Sequence, residues 1–266
     1  MNSPADRRPG PGSALGGLYA LGAGASGVVS ALSAAPHQVA GLFRSRFPTV
    51  AVTGVTGVGK SRLVDRLARR SLDQAGDDVG SATMERRTRR TARGKGFRFR
   101  VVPGDNAATR LGALDEVFHD EPVDGVLHVV AYGHATPRRA GGTSGTAAAS
   151  REEQLAAELA DWSVTAHLIA AMAVRRDRPV WLVIVVSKAD LFPDEIDEAV
   201  RYYSPGSGSP FGDTLDELRA LAGGARISID VLPMSVPTAS SASAAKRGDA
   251  QLVALERRLG QLSGHR

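Results

Sequence analysis

From residue 47 onward, short apolar runs alternate with segments in which apolar residues recur every three or four positions. Residues 49–53 (TVAVT) form a β-branched run that stops at Gly54, and residues 181–186 (WLVIVV) are entirely apolar. Short runs of this kind are typical of buried strands. Further strands are predicted at 87–92, 97–102, 125–132 and 227–232.

Helical spacing appears between these runs. The segment that opens at Lys60 carries Leu63, Val64, Leu67 and Leu72 at helix-like intervals. Other helices are predicted at 107–118, 152–174, 194–202, 214–222 and 249–262. Because strands and helices alternate, the pattern predicts an α/β fold in three layers, with a mostly parallel six-stranded sheet covered by helices on both faces.

One pair of strands is predicted to be antiparallel and to lie near a sheet edge. In residues 97–102 the apolar residues Phe97, Phe99 and Val101 alternate with arginines, which indicates one buried and one wet face. The preceding Gly94-Lys95-Gly96 is typical of a hairpin turn that returns from the basic strand at 87–92.

The first 46 residues do not share this pattern, so the chain is divided into an appended segment, 1–46, and a domain, 47–266. Residues 14–35 are rich in Gly, Ala and Ser with scattered leucines and valines. A membrane span or a removed signal is disfavoured because five glycines dilute the apolar residues. A membrane-surface or partner-binding helix and a flexible arm both stay open. Residues 140–150 and 204–210 are predicted to be exposed loops, and 240–246 to link the last strand to the last helix.

Composition adds two limits. Hydrophobic residues make up 42% and charged residues 23% of the 266 residues, which is ordinary for a globular protein. The chain has no cysteine, so disulfides and thiolate metal sites are excluded and a reducing compartment is compatible. The net charge of +5 is mild, and the clustering of basic residues is more informative than their sum.

A phosphate-binding motif follows the first predicted strand and opens the first helix. Residues 54–61 read G-V-T-G-V-G-K-S, which fits the Walker A pattern G-x-x-x-x-G-K-S. In this pattern backbone N–H groups surround the phosphates, Lys60 reaches the β- and γ-phosphates, and the Ser61 hydroxyl ligates Mg²⁺. The predicted phosphate site comprises Gly54, Val55, Thr56, Gly57, Val58, Gly59, Lys60, Ser61 and Arg62.

A second motif, Ser187-Lys188-Ala189-Asp190, comes directly after the apolar strand 181–186. With the phosphate motif it resembles the P-loop GTPases, Ras-like or translation-factor-type, whose base-reading motif is N/T-K-x-D. The resemblance covers residues 47 to about 262 and implies the P-loop NTPase fold. It also implies that Asp190 accepts hydrogen bonds from guanine and that Lys188 lies across the base, with Leu191 beside them. Ser187 stands where Asn or Thr is usual and has a shorter reach than Asn.

Two further positions match the family in part. The resemblance implies that Ser235 and Val236 support the base. GTPases carry D-x-x-G after the third strand, whereas this chain reads Val101-Val102-Pro103-Gly104. The γ-phosphate-sensing glycine is therefore kept as Gly104, but Val101 replaces the acidic residue that is linked to Mg²⁺. Asp105, which follows Gly104, is a candidate to replace this missing acidic residue.

The resemblance implies one further Mg²⁺ ligand, but it identifies no residue that orients the attacking water. A threonine between the first helix and the basic strand would ligate Mg²⁺, and Thr83 is the candidate. Asp105 and His119 are candidates for orienting the attacking water. His128, inside an apolar strand, is interpreted as a satisfied core residue.

Eight basic residues lie between positions 86 and 100, with Glu85 as the only nearby acid. Three interpretations stay open: a solvated edge hairpin, a surface for RNA or an anionic membrane, and a source of an internal arginine finger. Phe97 and Phe99 are expected to face the core, which weakens base stacking.

The function expected from these features is GTP and GDP binding with slow, Mg²⁺-dependent hydrolysis in a nucleotide-dependent switch that engages a protein effector or regulator. A non-hydrolysing GTP-binding scaffold at a membrane or assembly is the alternative, and an ATP-using P-loop NTPase is a weaker one. The expected location is the cytoplasm, with peripheral membrane association left open.

Overall fold

The described residues form a sheet of six strands, and its centre carries the phosphate-binding motif. A computed structural model describes residues 47–68, 84–90, 96–104, 107–136, 149–235 and 242–264. The strands are β1 (Thr49–Thr53), β2 (Glu85–Arg90), β3 (Gly96–Val101), β4 (Gly125–Val130), β5 (Val180–Val186) and β6 (Ile227–Pro233). Their order is β2-β3-β1-β4-β5-β6. Among the strand pairs that these residues form, only β2–β3 is antiparallel, as the sequence predicts.

Helices cover both faces of the sheet, which confirms the three-layer α/β prediction. They are α1 (Lys60–Leu67), α2 (Ala107–Asp115), α3 (Arg151–Arg175), α4 (Ile196–Tyr202), α5 (Pro210–Ala222) and α6 (Ala242–Leu262), and α2 continues into a π-helical turn (Glu116–Asp120). One core, which includes Leu114, Trp162 and Phe211, fills the space under α2 to α5. A second core on the opposite face includes Leu63 of α1 and Leu255 of α6.

Several predicted boundaries are wrong because capping residues extend the helices. The fifth helix begins at Pro210 rather than 214, since the Ser209 side chain accepts a hydrogen bond from the Gly212 N–H at 2.9 Å and proline fits the first turn. Ser150, predicted within a loop, caps α3 in a capping box with Glu153. The last helix already begins at Ala242, so most of the predicted 240–246 linker is helical.

The chain divides into two units, Met1–Arg46 and Phe47–Arg266. The interpretations of residues 1–46 and of the hairpin turn at 94–96 fall largely outside the described residues. Helix α1 is described to Leu67, so the predicted contribution of Leu72 also lies outside them. Among the described residues, no helix combines the length and the apolar character that a membrane crossing requires.

The described part of the basic run is largely neutralised by carboxylates of the same chain. The predicted alternation in β3 is confirmed, since Phe97, Phe99 and Val101 are buried and Arg98 is exposed. Arg100 is not on a wet face, however, because its side chain is 14% exposed and pairs with Glu121. The remaining ion pairs are Arg86 with Glu116, Arg87 with Glu85 and Asp65, and Arg89 with Glu256.

Candidate functional site

The phosphate motif lies at the carboxyl end of β1, between β3 and β4. Because the next strands along the chain, β2 and β3, lie on one side of β1 and the later strands β4 to β6 lie on the other, this end is a topological switch point, where ligands of open α/β sheets bind. Gly54 and Gly57 adopt positive φ values of 127° and 80°, so the loop curls with its backbone accessible. Helix α1 starts at Lys60, so its amino-terminal N–H groups lie directly behind the phosphate loop.

Gly57 is in direct contact with the segment that follows β4. A Cβ atom at this position would lie 2.1 Å from the Thr136 carbonyl oxygen. The Thr136 N–H in turn donates to the Gly57 carbonyl at 3.1 Å. The phosphate loop therefore leaves no room for a side chain at this glycine.

We expect Gly57→Ala to destabilise the protein more than Gly206→Ala. Both glycines have positive φ, which costs an L-residue about 1–2 kcal/mol. Only Gly57 would also clash with backbone, adding roughly 1–3 kcal/mol, because an added Cβ at Gly206 meets nothing within 4 Å. Urea unfolding of both variants measures the difference, and equal losses would contradict the packing at Gly57.

Lys60 is held inside the loop that it serves. Its Nζ donates to the carbonyl oxygens of Gly54 at 2.7 Å and Val55 at 2.8 Å, and the residue is 8% exposed. The positive charge of Lys60 also acts on two nearby groups, because it acts to lower the pKa of His128, which burial also lowers, and that of Asp161, which burial raises. Ser61, the predicted Mg²⁺ ligand, is partly exposed on the first turn of α1.

The predicted base-reading motif is tied directly to the phosphate loop. The Ser187 hydroxyl lies 2.7 Å from the Val58 carbonyl oxygen and 2.8 Å from that of Val130, and its single hydrogen can go to either. Serine therefore reaches the phosphate loop despite its short side chain. Lys188, with a φ of 56°, donates from Nζ to the His134 carbonyl at 2.8 Å and to Thr136 Oγ1 at 2.6 Å.

Asp190 and Leu191 lie on the exposed side of this motif, and Leu191 is 56% exposed. Ser235 is buried next to it, because the Ala189 N–H donates to the Met234 carbonyl at 3.2 Å. The Ser235 N–H donates to Gln251 Oε1 at 2.8 Å, which joins the end of β6 to α6. Val236 falls outside the described residues.

The third phosphate-sensing element lies against the loop but has no acid at the usual position. Gly104 is packed so closely that an added Cβ would lie 2.5 Å from Thr56 Oγ1. Val101 ends β3 as a buried core residue, 4% exposed, so this position offers no metal ligand. Asp105 and Thr83 fall outside the described residues. Among those described, no group of three or more His, Cys, Asp or Glu is placed to hold a metal ion.

The structure separates the two histidines. His128 is buried, as predicted for a core residue, and its Nδ1 lies 2.9 Å from Thr53 Oγ1. Burial, with Arg110 and Lys60 nearby, holds the pKa of His128 well below its usual value, so it is neutral. The prediction for His119 is wrong, because its ring contacts Arg175 at the carboxyl end of α3. The next residue, Arg176, binds Asp124 just before the start of β4, at the amino-terminal end of the strands, whereas the phosphate loop lies at their carboxyl end.

Two largely buried charged side chains beside the phosphate loop are not indicated by the sequence. Arg110 of α2 pairs with Asp161 of α3, and their side chains are 11% and 10% exposed. Arg110 Nη1 also lies 3.4 Å from the Gly54 carbonyl oxygen and 3.3 Å from that of Pro103. Burial raises the pKa of Asp161, while Arg110 and Lys60 act to lower it. Neither residue belongs to a motif, so no local signal marks them.

Comparison with known proteins supports the GTPase family that the phosphate motif indicates. The family model described as 50S ribosome-binding GTPase matches residues 49–184, just over half of the chain. A comparison with curated proteins found no match.

Among solved structures, an S. thermophilus NFeoB variant bound to GDP·AlF4⁻ is similar with 13% identity and a TM-score of 0.41, covering 78% of this chain and 64% of that one. An S. thermophilus NFeoB mutant bound to GMPPNP is similar with 17% identity and a TM-score of 0.42, covering 78% and 60%. The chain thus spans less than two thirds of either protein's length. On the match of the family model, the chain belongs to the 50S ribosome-binding GTPase family.

Proposed function

We propose that this GTPase-family chain binds GTP and GDP, hydrolyses GTP slowly with Mg²⁺, and uses the difference between the two nucleotides as a switch. The observation that carries the proposal is the Ser187 hydroxyl, 2.7 Å from the Val58 carbonyl oxygen. This contact sets the base-reading motif at a fixed place relative to the phosphate loop. A guanine nucleotide that spans the two would then be recognised at both ends.

Lys60 and the phosphate-loop N–H groups are proposed to stabilise the charge that develops on the γ-phosphoryl oxygens. The Gly104 N–H would sense the γ-phosphate, and its packing on Thr56 keeps it close to the loop. Asp105 remains our candidate for orienting water. Hydrolysis driven by positioning and charge alone is expected to be slow until a partner completes the site.

Mg²⁺ fits this site in part. When bound, the ion would neutralise charge on the β- and γ-phosphate oxygens. The Ser61 hydroxyl is available on the first turn of α1, and Thr83 is proposed as a second ligand. The buried Val101 cannot hold metal-bound water as a carboxylate would. We therefore expect weaker dependence on Mg²⁺ than the acidic residue would provide.

A non-hydrolysing scaffold is the alternative that Val101 favours. It would be recruited to a membrane or assembly through residues 14–35 and the basic hairpin. The internal ion pairs of Arg86, Arg87 and Arg89 leave less free positive charge for such a surface than the sequence suggests. Protein effectors and regulators, and peripheral association with a membrane in the cytoplasm, remain part of the proposal.

An ATP-using enzyme of the same fold is the third candidate. Adenine does not present the two donors that a carboxylate at Asp190 would accept, so guanine selectivity separates the two classes.

Equilibrium titration of fluorescent GDP and GTP analogues with Mg²⁺, competed by GTP, GDP and ATP, tests nucleotide identity. We expect guanine nucleotides to compete at least about 100-fold better than ATP, because an unpaired polar group is costly. Equal competition would assign the chain to the ATP-using class. Multiple-turnover phosphate release then separates switch from scaffold, since release at the background rate would support the scaffold.

A further inference from the structure

Arg110 touches both elements that meet the γ-phosphate in the proposed function. One of its nitrogens, Nη1, lies 3.4 Å from the carbonyl oxygen of Gly54, the first residue of the phosphate loop. The same nitrogen lies 3.3 Å from the carbonyl oxygen of Pro103, next to the sensing Gly104. A single guanidinium therefore bridges the phosphate loop and the segment that leads into α2.

The Gly54 carbonyl is shared by two cations, because Lys60 Nζ also donates to it at 2.7 Å. A carbonyl oxygen has two acceptor positions, so both contacts can coexist. When Lys60 turns to a phosphate, Arg110 can keep the buried Gly54 carbonyl paired. This lowers the cost of moving the lysine, since an unpaired buried carbonyl is unfavourable.

Asp161 fixes where the guanidinium lies. It forms the ion pair with Arg110 from the middle of α3, and Thr165, one turn further along, accepts from Nη2 at 3.4 Å. The contacts to the two loops, at 3.4 and 3.3 Å, are longer than typical N–H···O hydrogen bonds and therefore weak, whereas Asp161 forms a direct ion pair with Arg110. Arg110 is thus held in place by α3 and contacts the two loops through weaker hydrogen bonds.

We propose that Arg110 and Asp161 form a positioning pair that sets how strongly the protein prefers GTP over GDP. Arg110 holds Pro103 and Gly104, which would meet the γ-phosphate, against the phosphate loop, while Asp161 keeps Arg110 in place. The inference rests on the proposed function, and it assigns to α2 and α3 a role in the preference for GTP over GDP. Neither residue needs to touch the nucleotide.

The decisive variant replaces the pair by apolar residues, Arg110→Met with Asp161→Leu, so that no buried charge is left alone. We measure the Kd values for GDP and for a non-hydrolysable GTP analogue, together with urea unfolding. The expected result is that affinity for the analogue falls about tenfold or more beyond any fall in GDP affinity, because only the analogue has the γ-phosphate that Gly104 meets, whereas the Gly54 contact serves both nucleotides. If the pair were merely structural, the double variant would keep both affinities of the unaltered chain.

Arg110→Lys gives a second test that keeps the charge and does not depend on an apolar replacement. A lysine ammonium is a point donor and cannot reproduce the planar fork of arginine across Asp161 and two carbonyls. We expect the ratio of the two Kd values to move toward that of the apolar double variant. An unchanged ratio in either variant overturns the proposal.

Arg176→Met is the matched control. Arg176 likewise binds a carboxylate, Asp124, and a carbonyl, that of Val123, but at the opposite, amino-terminal end of the strands. We expect it to change stability without changing the ratio, and an equal change would attribute the effect to general destabilisation and overturn the proposal. If the unaltered chain binds no guanine nucleotide, the proposed function itself fails, a result distinct from binding with an unchanged ratio.

Discussion

Lys60→Ala is expected to lower the affinity for GTP and GDP by about 10²- to 10⁴-fold, as for the loss of two charge-assisted hydrogen bonds. The Lys60 ammonium is 8% exposed and lies within the backbone of the phosphate loop, 2.7 Å from the Gly54 carbonyl oxygen. Its attraction for phosphate is therefore less screened than that of a surface lysine. Phosphate release should fall to the background rate.

Lys246→Ala is the matched control for this prediction. Lys246 is exposed on α6 and carries the same charge, so its removal changes the net charge equally. We expect its effect on nucleotide affinity to stay within about twofold, as for a screened surface charge. Fluorescence titration measures both variants, and urea unfolding shows that each is folded. Nucleotide affinity of Lys60→Ala within about threefold of the unaltered chain would mean that phosphates are not bound at this loop.

Asp190→Asn is expected to remove the preference for guanine over adenine nucleotides. The carboxylate of Asp190 is exposed at the carboxyl end of β5, where it can accept from both the N1–H and the 2-amino group of guanine. An asparagine amide accepts one of these bonds but places a donor against the other. We expect GTP affinity to fall about 100-fold or more while weak ATP binding stays unchanged.

The same substitution is expected to create a new preference. The base of xanthosine triphosphate carries an N1–H donor next to a carbonyl acceptor, where guanine has its 2-amino group. The amide that Asp190→Asn introduces would match that pair, so we expect this variant to bind xanthosine triphosphate better than the unaltered chain does. Asp194→Asn is the control, since Asp194 is exposed four residues further on. Competition titration with the three triphosphates measures all variants. Retained guanine selectivity in Asp190→Asn would place base recognition elsewhere.

Lys60 and Asp190 are proposed to bind opposite ends of the nucleotide, and the two motifs that carry them are in contact. Ser187 joins the base-reading motif to Val58 within the phosphate loop, and Lys188 contacts Thr136, which also pairs with Gly57. A change at one end can therefore reach the other through these hydrogen bonds. Base selectivity and phosphate affinity are accordingly expected to fall together when Ser187 is replaced by alanine.

The sequence determined the elements and their type because these depend on neighbouring residues. The all-apolar run in β5, the alternation in β3 and the Gly-Lys-Ser at the start of α1 are each visible within a few positions. The phosphate loop and the base-reading motif were predicted for the same reason, since each is a contiguous segment at the end of a strand. Helix ends were less certain, because a cap such as Ser209 acts through one side-chain hydrogen bond.

Only the tertiary structure decided which distant residues meet. Arg110 and Thr165 are 55 positions apart, and nothing in their local sequence marks them as neighbours of the phosphate loop. The destination of the basic run was also undetermined, because its partner Glu256 lies on α6, far along the chain. Local patterns fix strands, helices and loops, whereas ion pairs and packing between elements depend on how the sheet brings separate segments together.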